Sequence, residues 1–236
     1  MKMNLKSVFL GLFLTASYCV SAQTNLGPSV GGLTLVPFTT KGKNADDANS
    51  YFSEEWGSGN LLINVDSKGV PVSNIKYNIA SDKIVMKDGN KVFEFPKGSV
   101  LSFTLKAKDK ETGILRDYTF VSGLEGVDKY SATNFFLTHY NSPKVKLLTK
   151  YFVVLQKSGG STYGSNAEEF AYSKEKTLFI YKDSKGIAIK KNKKSVLEAL
   201  GGDKKMWEDY IKANKLDMKN EDDIARLLKY YESKNI

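Results

Sequence analysis

The segment NIKYNIASDKIVMKDGNKVFEF, residues 74–95, alternates apolar and polar side chains on both sides of an Asp-Gly pair. Asp88-Gly89 is a strong signal for a two-residue hairpin loop, because the favoured turns need positive φ angles. A loop over these two residues predicts that Ile84 lies opposite Phe93. This register puts the apolar side chains on one face, and they are Ile84, Met86, Phe93 and Phe95. We therefore expect two antiparallel strands with one buried face.

The same alternation recurs over most of the chain up to residue 190. It is present in residues 61–65, 75–79, 101–107, 118–120 and 145–155, and the apolar runs 178–181 and 187–189 flank the turn 182–186 as a last hairpin. Alternation at period two is typical of half-buried strands, so these segments predict further strands of an antiparallel sheet. Residues 33–38 are a possible edge strand, because Pro37 fits a strand only where one hydrogen-bonding neighbour is missing.

The apolar pattern changes to a helical period after residue 190. Asp203 and Asn220 are suitable N-cap residues, and Gly201 is a suitable end for a first helix. The last helix carries an apolar stripe that must be covered, formed by Ile224, Leu227, Leu228 and Tyr231. The chain thus predicts an α+β fold, mainly β, in which three short C-terminal helices follow a curved antiparallel or barrel-like sheet.

The first 22 residues have the three parts of a secretory signal peptide. Lys2 and Lys6 are the positive region, residues 8–14 are the apolar region, and residues 20–22 offer small side chains at a cleavage site. The apolar run is shorter than the roughly 20 residues that a membrane-spanning helix needs. We therefore expect export, cleavage before Gln23 and no transmembrane segment in the mature chain.

Cys19 is the only cysteine, and it lies within the predicted signal peptide. The large side chain of Tyr18 before it does not fit a lipidation site, and a lipid anchor on Cys19 is the alternative to cleavage before Gln23. A mature chain without cysteine excludes disulfides, thiol nucleophiles and cysteine-based metal sites. We divide this chain into a flexible leader with a possible edge strand over residues 23–50, an antiparallel β domain over residues 51–190, and a helical segment over residues 191–236 that packs on the sheet.

The chain is basic, with a formal net charge of +9 that comes almost entirely from lysine. The densest run is Lys190, Lys191, Lys193 and Lys194. No aromatic residue is interleaved with this run, so base stacking and nucleic-acid binding are not expected. Contact with an envelope protein, a glycan or an anionic lipid is the functional interpretation, and a solvated lysine surface is the alternative.

Most catalytic arrangements are excluded by residue type. His139 is the only histidine, which rules out a two-histidine metal site, and no nucleophile elbow or phosphate-binding glycine loop occurs. We predict no catalytic residue, no metal and no cofactor. Adjacent acids are the remaining candidates for a hydrolase whose carboxylate pair converges in three dimensions, although each pair also has a structural explanation: Glu54-Glu55, Glu168-Glu169 and Asp222-Asp223. Asp46-Asp47 is a candidate for calcium, but no EF-hand spacing surrounds it.

Trp56 and Tyr51 are the aromatic candidates for ligand contact, because aromatic faces suit sugars and apolar ligands. Trp56 stands directly before Gly57-Ser58-Gly59, which is a mobile flank in sequence terms. The alternative is that Trp56 covers the core of the sheet, and that Trp207 packs the helices onto it.

Four segments of the chain resemble those of a known protein family. They are YFSEEWGSGNLLI, IKYNIASDKIVMKDGNKVFEF, KVKLLTKYFVVLQK and IARLLKYYESKN. From residue 51 to the end, the chain resembles a family of secreted cell-envelope proteins of Bacteroidetes-type bacteria, to which no activity is assigned. The resemblance implies residence in the periplasm, at the outer membrane or outside the cell.

The predicted function is a non-enzymatic structural or binding role in the cell envelope. Two alternatives stay open at this point. One is a hydrolase with a converging carboxylate pair. The other is a periplasmic lipid or lipopolysaccharide carrier, whose sheets also use short strands and Asp-Gly turns.

Overall fold

The computed structural model describes residues 27–39, 48–63, 68–158 and 169–234. The predicted signal peptide, the acidic pair Asp46-Asp47 and Glu168 lie outside the described residues. Within them, no helix is both long enough and apolar enough to cross a membrane.

The described residues form thirteen strands, and eleven of them make one curved antiparallel sheet. The strands are β1 Ser29–Val30, β2 Leu33–Thr34, β3 Val36–Pro37, β4 Gly57–Leu62, β5 Val70–Asn78, β6 Lys83–Asp88, β7 Lys91–Glu94, β8 Ser102–Lys108, β9 Leu115–Val121, β10 Phe136–Asn141, β11 Val145–Ser158, β12 Glu169–Lys182 and β13 Lys185–Ile189. The order across the large sheet is β13-β12-β11-β10-β9-β8-β4-β5-β6-β7-β3, and β1 pairs with β2 separately. The mainly β architecture predicted from the alternation is confirmed.

The β6–β7 hairpin has the predicted buried face but a different register. Met86 pairs with Phe93 and Asp88 pairs with Lys91, so the prediction that Ile84 lies opposite Phe93 is wrong by two residues. The turn is Gly89-Asn90, and of these two only Gly89 has a positive φ, 56°. Glycine at the first central position is the pattern of a type II′ turn. A shift of two residues preserves the faces, so Ile84 and Phe93 are still buried in one cluster.

Three helices close the chain, as the change of period predicts. They are α1 Lys193–Leu200, α2 Lys204–Ala213 and α3 Glu221–Lys234. Asn192 caps α1 by accepting a hydrogen bond from the Ser195 amide, and Asp203 caps α2 through the Met206 amide. Gly201 ends α1 with a φ of 67°, which a side chain would disfavour.

Strand β11 connects three apolar clusters. Val145 and Leu147 pack under the helices, with Trp207 fully buried among them. Further along the same face, Tyr151 joins the main cluster of β4–β10. On the opposite face, Leu148 belongs to a third cluster. The helical segment therefore shares its core with the sheet.

Candidate functional site

Two neighbouring cavities lie where the helices meet the sheet. The first has a volume of about 880 Å³ and is lined by β12, β13 and the start of α1. The second has a volume of about 770 Å³ and is lined by β9–β12 and the start of α3. Lys176 and Glu221 line both, and Lys176 Nζ lies 3.6 Å from Glu221 Oε1. This ion pair is therefore part of the wall between the cavities.

The first cavity is basic, and we call it the basic cavity. Its charged lining is Lys176, Lys190, Lys191, Lys194, Glu198 and Glu221. Three of the four lysines of the predicted run thus come together around it. Lys193 does not line the cavity, because its Nζ lies 3.2 Å from Glu208 Oε1 on α2.

Lys176 is a member of the site that sequence reasoning missed. It is paired with Tyr151 across β11 and β12, and Tyr151 packs on the main core. Directly paired residues share one face of a sheet, so Lys176 projects on the side that carries the helices. The sequence did contain an indication of this orientation. Lys176 lies two and four residues before the buried Leu178 and Ile180 on β12, so the three side chains project from the same face of the strand.

The local structure around α1 places the lysines in an unusual position. Ser195 Oγ accepts a hydrogen bond from the Lys190 amide at 2.9 Å, which fixes the connection from β13 into α1. The first turn of α1 holds no acidic residue. Lysines near a helix N-terminus oppose the helix dipole, so this run weakens α1. Residues that break a local stability rule are frequently functional ones.

Glu221 is the central acid of the site. Lys191 Nζ donates to Glu221 Oε1 at 3.1 Å, and Lys176 approaches the same oxygen. Burial alone would raise the pKa of Glu221, but the net shift is downward. Its own backbone amide, the hydrogen bond from Lys191 and the two lysine charges outweigh burial. Glu221 therefore remains an anion between two lysines.

His139 and Thr149 lie side by side at the junction of the cavities. Thr149 lines the basic cavity, His139 lines the second cavity, and His139 Nε2 lies 2.8 Å from Thr149 Oγ1. Burial is the largest cause that lowers the pKa of His139 below its usual value, with Lys176 and Lys191 acting in the same direction. The imidazole is therefore neutral at pH 7, and it adds a polar group without a charge.

The second cavity combines aromatic and charged side chains. Tyr118 and Tyr151 line it together with Asp109. Asp109 is committed to its own turn, since its carboxylate accepts hydrogen bonds from the amides of Glu111 and Thr112, the Thr112 hydroxyl and the Tyr118 hydroxyl. The hydrogen bonds from Thr112 are the main reason that the pKa of Asp109 is lowered to about 2.

Asp109 and Glu221 do not have the properties of a glycosidase general acid. A general acid needs a raised pKa, whereas the pKa values of Asp109 and Glu221 are both lowered. At least one member of each acidic pair that the structure describes, Glu54-Glu55 and Asp222-Asp223, is held in a surface contact. Glu55 lies 2.8 Å from Lys108, and Asp223 accepts a hydrogen bond from the Asp217 amide. These groups give the hydrolase alternative no support.

The aromatic candidates occupy a different place. Lys76 Nζ lies 5.0 Å from the ring centre of Trp56 and 5.1 Å from that of Tyr51. Trp56 lines a third cavity of about 270 Å³, together with residues of β8 and the β8–β9 turn. Neither aromatic residue lines the basic cavity. The structure therefore does not bring the predicted aromatic and lysine candidates into one site.

A second charged cluster, which sequence reasoning also missed, is closed to ligands. Lys150 Nζ lies 2.7 Å from Asp82 Oδ1, and it also donates to the Tyr77 hydroxyl and the Phe135 carbonyl. Tyr77 and Asn134 donate to the same carboxylate. Burial lowers the pKa of Lys150 and raises that of Tyr77. The adjoining cavity measures only about 10 Å³, so we assign this cluster a structural role.

Comparisons of the chain with family models, with curated proteins and with solved structures returned no match. In the described part of the chain, no group of three or more His, Cys, Asp or Glu side chains is placed to hold a metal ion. The site must therefore be interpreted from its own geometry, and the absence of a cofactor stays a prediction.

Proposed function

We propose that this protein is an exported, non-enzymatic binding protein of the cell envelope, and that the basic cavity holds an anionic group of its ligand. One observation carries the proposal: three lysines of a single run and Lys176 from a different strand line one cavity of about 880 Å³. Ligand sites are typically concave and of this size. The location rests on the predicted signal peptide and on the resemblance to secreted envelope proteins.

The residues that line the two cavities favour an acidic glycan as the ligand that carries the anionic group. Lysine ammonium groups are hydrated point charges that suit carboxylate, phosphate or sulfate without fixed geometry. The second cavity adjoins the first and offers Tyr118 and Tyr151 as flat surfaces, with carboxylates that accept hydrogen bonds from sugar hydroxyls. A glycan whose acidic end lies among the lysines can therefore continue into the second cavity.

The lysine run contains its own matched control. Lys191 and Lys194 line the basic cavity, whereas Lys193 pairs with Glu208 outside it. Lys191→Ala, Lys194→Ala and Lys193→Ala change the net charge equally. We expect the first two to weaken binding of an acidic oligosaccharide about tenfold each, which corresponds to about 1.4 kcal/mol, and Lys193→Ala to have little effect.

The measurement is calorimetric titration of the chain from Gln23 onward with oligogalacturonate, and co-sedimentation of the same variants with phosphatidylglycerol vesicles. Binding to vesicles alone, with the same pattern of variants, would identify a lipid headgroup as the carrier. Equal losses for all three variants would contradict a cavity site, because they would indicate attraction by net charge.

The proposed location has a separate test. The intact mass of the protein recovered from the envelope should correspond to a chain that starts at Gln23 without an acyl group. A lipid-modified chain starting at Cys19 would instead place the protein on a membrane surface.

A further inference from the structure

In the basic cavity, the carboxylate of Glu221 already lies where a bound anion would contact the lysines. Two of the four cavity lysines approach one of its oxygens, at 3.1 Å for Lys191 and 3.6 Å for Lys176. Lys191 precedes α1, Lys176 lies on β12 and Glu221 begins α3, so three separate elements converge on this carboxylate. An external carboxylate or phosphate that entered the cavity would meet the same two ammonium groups.

We propose that Glu221 is a displaceable internal counter-ion, and that the ligand's anionic group replaces its carboxylate at Lys176 and Lys191. The inference rests on the proposed function and adds the regulation of the same site. Displacement needs only rotation of the Glu221 side chain, because α3 is anchored by the fully buried Ile224, Leu227 and Leu228. The side chain of Glu221 is 23% exposed and has solvent to turn into.

Two consequences follow from an internal competitor. A tethered carboxylate acts at a high effective concentration, so a ligand with one weak charge competes poorly with it. The cavity should therefore select groups with more than one negative charge, such as phosphate monoesters or neighbouring sulfates. Because Lys176 and Glu221 form part of the wall between the cavities, displacement also opens a path from the basic cavity into the second one.

The test uses inorganic pyrophosphate as a compact, multiply charged probe, and calorimetric titration of the mature chain. Glu221→Gln removes the competing charge and should tighten binding about tenfold. Glu208→Gln is the matched control, because it removes a carboxylate that pairs with Lys193 outside the cavity. This control should leave binding within about twofold of the wild type if the effect is local and not one of net charge.

A second readout follows the carboxyl group itself. Carbon-detected NMR gives the pKa of Glu221 with and without saturating pyrophosphate. Loss of the two lysine contacts should raise this pKa toward its usual value, since the lysines help to lower it in the free protein.

The outcomes separate the two proposals. If pyrophosphate binds and Lys191→Ala weakens it, but Glu221→Gln does not tighten it and the pKa of Glu221 stays constant, the counter-ion inference is overturned and the binding function stands. If neither the wild type nor folded Glu221→Gln binds pyrophosphate, acidic oligosaccharide or anionic vesicles, the binding function fails and the inference fails with it. Thermal unfolding of each variant confirms that α3 is intact.

Discussion

Replacing Asp82 by Asn should remove a large part of the stability of this protein. The Lys150 side chain is 4% exposed and that of Asp82 is 14% exposed, so the substitution leaves an ammonium group buried without its counter-charge. The new amide would also direct a donor at the amide of Asn134, which donates to Asp82 in the native chain. Removing one partner of a buried ion pair costs about 3–5 kcal/mol. We expect about 3 kcal/mol, because Asp82 keeps some contact with solvent.

A second substitution measures how much of this loss of stability comes from the uncompensated charge of Lys150. Lys150→Met removes the buried charge and fills similar space, and the remaining Asp82 keeps its hydrogen bonds from Tyr77 and Asn134. We expect this variant to lose only about 1–2 kcal/mol. The double variant Asp82→Asn/Lys150→Met should be more stable than Asp82→Asn alone, because the uncompensated charge is gone.

Urea unfolding followed by circular dichroism gives the free energies of all four proteins. Typical domains have total stabilities of about 5–15 kcal/mol, so a loss of 3 kcal/mol shifts the midpoint visibly. A cost below about 1 kcal/mol for Asp82→Asn, or no recovery in the double variant, would refute the assignment of Lys150 and Asp82 as a buried structural pair.

Three further predictions concern the turn, the last helix and the histidine. Gly89→Val should lower the free energy of unfolding by about 1 kcal/mol or more, because Gly89 has a φ of 56°, and an unchanged urea midpoint would contradict this. Truncation after Lys219 should abolish cooperative thermal unfolding, since it removes buried residues such as Leu227, whereas a stable truncated domain would make α3 an interaction helix. Burial lowers the pKa of His139, so the unfolded chain binds its proton first as pH falls below 6.5. The free energy of unfolding should fall with pH in that window, and His139→Gln should flatten the part of the titration curve due to His139.

The sequence predicted faces more reliably than registers. Alternation assigns each side chain to a side of its strand, so Ile84 and Phe93 were placed correctly in the core. Register depends on which residues form the turn, and both Asp88-Gly89 and Gly89-Asn90 are compatible with the local sequence. Packing against the neighbouring strands selects between them, and that information is not local.

The candidate site could be predicted only in part for the same reason. A contiguous run identified Lys190, Lys191 and Lys194. Lys176 and Glu221 join them through strand pairing and helix docking, which single-sequence patterns do not specify. The burial of Lys150 could not be predicted from the sequence, because a lysine in a strand normally faces solvent.

The lysines at the start of α1 have a consequence for laboratory evolution of this protein. An acidic residue in place of Lys194 would complement the helix dipole, which typically strengthens a helix by about 0.3–1 kcal/mol, whereas at Lys193 it would also break the ion pair with Glu208. A screen for heat resistance alone would therefore enrich substitutions that reverse the charge of the basic cavity at Lys194. Under the proposed function, such Lys194 variants would gain thermal stability and lose affinity for anions, so stability and binding would have to be selected together.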